Sequence, residues 1–377
     1  MNGPRNSLAT LATLVALAAL TFPIAALAQN TAAPIVRHTF EESDGGWTVM
    51  GTGGKISVTH DAASVKSGKA ALQFDYNVNK GDMAALMLLT PDGMLAKAKS
   101  FRFAVKSDSG GVLTALLQEH EGGRYIAMFT VPAGKWQQVE LAPSDFTLSD
   151  DANDPPDPDG KLDLDKVEAF GITDVMQILA QTDNADLEKL FNVKKGQHTL
   201  FIDDVAINEE PLTAAIQPDV LDTFARPQVG WFAIGGVSVS QVSGAPLAGR
   251  GIQLDYRQSM GKPVAVIRKI QRGTIAGKTG LSVDVASAKP AKLIIQVEEK
   301  GGGKYNILVD VPGGKQLKTL AFPFTEFKEA DDSHDANGKL DLDQVNQLVI
   351  IDGSGLLGME EGENTLWIGN VKVTAGK

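Results

Sequence analysis

The sequence predicts an all-β chain: two tandem antiparallel β-sandwiches of jelly-roll type, preceded by an export signal. Three observations predict it. Apolar residues recur at period two in short runs, and clusters of Gly, Pro, Asp and Asn separate those runs. The second half of the chain then repeats the first in unbroken order.

Composition sets the outer limits. At 377 residues, 43% hydrophobic and 21% charged, the chain is long enough for two cores. A formal charge of −11 opposes nucleic-acid binding, where basic residues must neutralise phosphates. The chain has no cysteine, which excludes disulfides, thiol nucleophiles, Cys-ligated zinc and a lipid-modified anchor.

Residues 1–28 have the form of a secretory signal peptide. Arg5 gives a positive start, Leu8 to Leu20 an apolar run, and Ala26-Leu27-Ala28 small residues for cleavage. The run is short for a spanning helix, so no stable membrane anchor is expected. The protein is expected to be exported, either periplasmic or secreted.

The first repeat unit spans 36–207 and the second 220–373, joined by a linker at 208–219 that holds two prolines. VRHTFEESDGGW (Val36 to Trp47) returns as VLDTFARPQVGW (Val220 to Trp231), and LQFDY (Leu72 to Tyr76) as IQLDY (Ile252 to Tyr256). GKLDLD at Gly160 recurs unchanged at Gly338, and TLFIDDVAI (Thr199 to Ile207) matches TLWIGNVKV (Thr365 to Val373). Between Asp174 and Gly196 the first half carries twelve more residues than the second, with a short helix expected at Ala185 to Phe191. Trp47, Trp231, Tyr76, Tyr256, Tyr125 and Tyr305 fall on the core-side phase.

The chemistry motifs are sparse. Gly353 to Gly358 fits GxGxxG, but only 19 residues follow, too few for a dinucleotide fold. Aligning Gly160 with an EF-hand glycine places Pro155 and Lys166 where ligating carboxylates belong. No GxSxG or HExxH occurs, and nothing selects one carboxylate pair from the many. The chain is therefore expected not to be an enzyme.

Four motifs carry a resemblance: Phe40-Glu41 followed by Gly46-Trp47, VPAGKWQQVELAPSDF (Val131 to Phe146), GKLDLDKV, and the closing FIDDVAI. Together they resemble the galactose-binding-like jelly-roll superfamily, especially carbohydrate-binding modules of the family 11 type. The related domain of the complex I intermediate-associated protein is similar as well. The resemblance implies a non-catalytic protein that binds a glucan-type polysaccharide or oligosaccharide with two modules. It leaves open a cell-envelope interaction or assembly protein that uses the fold without sugar.

Candidate residues follow from strand phase. Asp75, Arg102, Gln118 and Trp136 face away from the core, with Gln73, Gln138 and Glu140 nearby. Aromatics stack on pyranose rings, while amides and charges bond hydroxyls. The alternative is an ordinary solvent-facing sheet. The resemblance further implies a structural calcium in the first domain, held by Glu41, Asp203 and Asp204. Independent surface acids are the alternative. In the second half the matching positions are Ala225, Gly369 and Asn370.

Overall fold

The structure is a computed structural model that describes residues 33–149, 154–182, 184–213, 219–359 and 361–375. The expected signal peptide, part of the acidic loop (150–153) and the centre of the linker (214–218) lie outside the described residues. No helix among the described residues is long and apolar enough to cross a membrane.

Both halves are β-sandwiches. In the first, one sheet runs in spatial order Gly54–Thr59, Ala71–Val78, Gly196–Asn208, Ser100–Ser107 and Trp136–Leu141, with Val36–His38 pairing along Gly196–Asn208. The facing sheet is ordered Trp47–Thr52, Met83–Leu89, Val167–Asp174, Gly111–Glu119, Arg124–Val131 and Thr147–Leu148. The second half repeats both orders, with Gly362–Ala375 in the place of Gly196–Asn208. All pairings between these strands are antiparallel.

Alternation explains the core. Leu72, Phe74, Tyr76 and Val78 point inward from one strand and meet Phe101, Phe103, Phe129 and Phe170 from others. Trp47 and Trp231 are buried with them, each in its own half, as are all four tyrosines. The repeat extends to backbone conformation. Phe40 and Phe224 share φ near 60° and 55°, and Asp204 and Asn370 share 50° and 41°. Asp and Asn tolerate this left-handed region better than most residues. Both sit where the closing strand slips register against its neighbour.

The extra residues of the first half fold into two short helices, Val175–Gln181 and Ala185–Leu190. The second was expected and the first was not. Asp174 caps the first helix by accepting from the Met176 N–H at 2.9 Å. Gln177, fully buried, bonds both the N–H and the carbonyl of Ala84, at 2.9 and 2.8 Å.

The sandwiches are locked together. Thr130 donates through its N–H to the Val229 carbonyl and through its hydroxyl to the Trp231 carbonyl, each at 2.9 Å. The Gln228 amide bonds both backbone groups of Glu140, at 3.1 and 2.6 Å, and Arg226 pairs with Asp145. Val112, Met128, Val175 and Phe191 pack on Phe232, Ile267 and Val349 across the junction.

Candidate functional site

Three of the four predicted sugar-facing residues share one surface. Asp75, Arg102 and Trp136 lie on the outer face of the sheet that contains the closing strand. Gln118 does not join them, because its strand belongs to the opposite sheet. Strand phase separates inside from outside but cannot assign a residue to a sheet. Gln118 is instead bonded to the carbonyls of Glu119 and Gly123, and accepts from Arg124.

Pairing register aligns five side chains in one row: Ser57, Gln73, Phe201, Lys106 and Trp136. Lys55, Asp75 and Thr199 form the adjoining row. Asp75 accepts from Thr199 at 2.7 Å and from Gln73 at 3.0 Å, so its carboxylate is fixed before any ligand arrives. The Lys106 ammonium stands 5.4 Å from the Phe201 ring centroid and donates to the Ala63 carbonyl. Trp136 is half-buried, and its indole N–H is covered and lacks a hydrogen-bond partner. Arg102 faces Glu140 on the same surface, roughly 13 Å along the strand from Lys106.

Phe201 was missed from sequence, although its signal was present. Within TLFIDDVAI the period-two phase gives Leu200 and Ile202 to the core and turns Phe201 outward.

The second half rebuilds the cluster. Asp255 accepts from Thr365 at 2.9 Å and from Gln253 at 2.8 Å, and Lys315 stands 5.4 Å from the Trp367 centroid. Accessibility differs. Trp367 is 6% exposed beneath Leu247 and donates to Gln253, whereas Phe201 is half-buried.

No family model and no curated protein matches the chain. Similar solved structures include carbohydrate-binding modules and an exo-β-agarase. One is the family 11 module of Clostridium thermocellum in complex with a β-1,3-1,4-mixed-linked tetrasaccharide: 19% identity, 42% of this chain, 95% of that chain and TM-score 0.34. Another is the tandem CBM22-1–CBM22-2 domain of Paenibacillus barcinonensis Xyn10C: 12% identity, 92% of this chain, 99% of that chain and TM-score 0.30. Likenesses this distant add nothing to the fold that strand pairing already establishes.

The expected calcium ligands converge, but on backbone N–H groups. Asp203 accepts from Lys66 and Ser67, both at 3.0 Å, and from Asp204 at 2.8 Å. Glu41 accepts from Lys69 at 2.8 Å, and Asp204 from the Ser67 hydroxyl at 2.8 Å. Gly68 makes the approach possible, since an added Cβ would lie 2.0 Å from the Glu41 carboxylate. Among the described residues no group of three or more His, Asp or Glu is gathered around a common point. These acids therefore form a clasp on residues 66–70 and do not fit a calcium cage as placed. In the second half Arg226 and Gln228, which replace Glu42 and Asp44, are the residues that dock on the first sandwich.

The two acidic loops also repeat. Asp157 accepts from Tyr125 and from the N–H groups of Asp159 and Gly160; Asp335 accepts from Tyr305, Asn337 and Lys339. Beneath them Glu119 and Glu299 accept from the N–H groups of Asp163 and Asp341. Burial, reinforced by the Asp157 and Asp163 carboxylates, pushes Glu119 up to about 7; burial also raises Glu299.

Proposed function

We propose that the protein is an exported, non-catalytic carbohydrate-binding protein. It holds a glucan-type chain on the outer sheet face of its first sandwich. The observation that carries this reading is the row Gln73–Phe201–Lys106–Trp136 beside the fixed Asp75–Thr199 pair. Two aromatic side chains flank a lysine, while an amide and a buried carboxylate supply directed hydrogen bonds to hydroxyls. The family 11 module mentioned above is described in complex with a mixed-linkage tetrasaccharide, which makes that class of glucan the first to try. The second sandwich, whose ring is covered by Leu247, supports the first and does not bind. Isothermal titration with mixed-linkage β-glucan oligosaccharides tests the reading: saturable heat supports it, and none across glucans and xylans contradicts it.

A protein-interaction role is favoured by a different surface. The outer face of the opposite sheet carries Met87, Leu116 and Ala169 in contact, with Met50 and Leu89 55% and 63% exposed beside them. The first three are themselves buried, so Met50 and Leu89 are the apolar side chains offered to a protein partner. Cross-linking of the exported protein in intact cells, lost with Leu89→Glu and retained with Trp136→Ala, would favour this second role.

A further inference from the structure

The two features that distinguish the first half from its duplicate meet at one cavity. The twelve-residue insertion contributes Phe191 and Asn192 to its wall, and the strand after it contributes His198, where the second half has Asn364. The cavity holds about 500 Å³ between the two sandwiches, and Val237 and Ser238 of the second half close its far side. Small-molecule sites commonly occupy about 300–1,000 Å³ at such domain junctions.

The second sandwich serves as an internal control. There Asn364 donates to the Tyr256 hydroxyl at 3.2 Å and to Ser287 at 3.3 Å, and accepts from the Lys289 and Thr365 N–H groups. That network is closed. In the first sandwich His198 stacks on Tyr76, and its Nε2 lies 2.7 Å from the Lys194 carbonyl. Nε2 therefore carries a proton, and in the neutral ring Nδ1 is a lone-pair acceptor. Nδ1 is covered and has no hydrogen-bond partner; the Asp108 carboxylate 3.7 Å away is itself an acceptor. Asp174, also on the wall, is fixed by the Tyr76 hydroxyl at 2.7 Å and the Met176 N–H.

We infer that this cavity is a second binding site, for a small polyhydroxylated ligand about one or two sugar units in size, with the His198 ring on its wall. The wall suits that class. The exposed polar side chains of Asn192 and Ser238 stand on it, and Phe191 and Val237 offer apolar contact for a ring face. Lys194 donates to the Ser109 carbonyl, so its charge is not directed at a ligand anion. The site goes beyond the sheet-face reading and shares no residue with it.

The test follows the His198 ring nitrogens by NMR at constant pH while D-glucose, cellobiose and myo-inositol are titrated into the full exported chain. The expected result is a saturable shift of Nδ1 with at least one probe. His198→Asn, the residue its duplicate uses, should weaken that binding at least tenfold without lowering Tm. Trp136→Ala should leave it intact, so failure of the sheet-face reading and failure of this one remain distinguishable. An Nδ1 signal that ignores all three probes and moves only with pH would overturn the inference, as would equal binding by His198→Asn.

Discussion

Phe201 and Trp367 occupy the same place in their two sandwiches, each directly opposite a glutamine, Gln73 or Gln253, on the neighbouring strand. One ring is half-buried and the other lies beneath Leu247. Duplication has thus produced one accessible aromatic and one structural aromatic from a single position. Trp367→Ala should therefore destabilise the chain by about 3–5 kcal/mol in denaturant unfolding, the usual cost of emptying a buried Trp site. Glucan affinity should be unchanged. Loss of affinity at unchanged stability would reverse the two roles.

The junction between the sandwiches rests on a charge pair with little exposure, Arg226 and Asp145, whose side chains are 17% and 10% exposed. Removing one partner strands the other. Arg226→Ala should cost about 3 kcal/mol, and the double variant with Asp145→Ala should recover part of that loss. Differential scanning calorimetry checks both, with separate transitions for the two halves expected in the single variant.

Glu119 supplies a pH dependence of defined direction. Its ordinary value is 4.5, and in the folded chain it rises to about 7. Between those values the unfolded chain releases a proton that the folded chain retains. Stability present in full below about 4.5 should therefore fall as pH rises towards about 7 and then level off. Glu119→Gln keeps an acceptor for the Asp163 N–H and removes the titration. Its Tm should exceed that of the parent above pH 7 and lose this part of the slope; an unchanged slope would count against it.

The clasp on residues 66–70 makes a prediction about metal. Asp203→Asn retains one acceptor but turns an amide N–H₂ towards N–H groups of Lys66, Ser67 or Asp204. The cost should be about 1–3 kcal/mol. Because both Asp203 oxygens and one oxygen each of Glu41 and Asp204 are engaged by N–H and O–H donors, EDTA should leave Tm unchanged. A Tm that falls with EDTA, recovers with calcium, and does neither in Asp203→Asn would place an ion there.

The fold was legible because its signals are periodic and repeated. Leu72, Phe74 and Tyr76 show an inward face in the sequence alone, and the duplicate confirms the phase at Ile252, Leu254 and Tyr256. The surface was only half legible. Phase turns Asp75, Trp136 and Gln118 outward alike, but which sheet each strand joins depends on long-range pairing that no local pattern encodes. Gln118 was misplaced for that reason. The duplicate has Arg226 and Gln228 where the first half has Glu42 and Asp44, and those positions serve the junction, a contact visible only once both halves are docked. Helix Val175–Gln181 was missed because its apolar residues continue the preceding strand without a Gly or Pro, and its start rests on the single Asp174 cap.

Native affinity electrophoresis of the chain through gels containing mixed-linkage β-glucan tests the central claim most directly. The account predicts retardation of the parent, loss of at least tenfold in affinity with Phe201→Ala or Trp136→Ala, and full retention with Leu89→Glu. Equal migration of all four proteins, with or without the glucan, would contradict it.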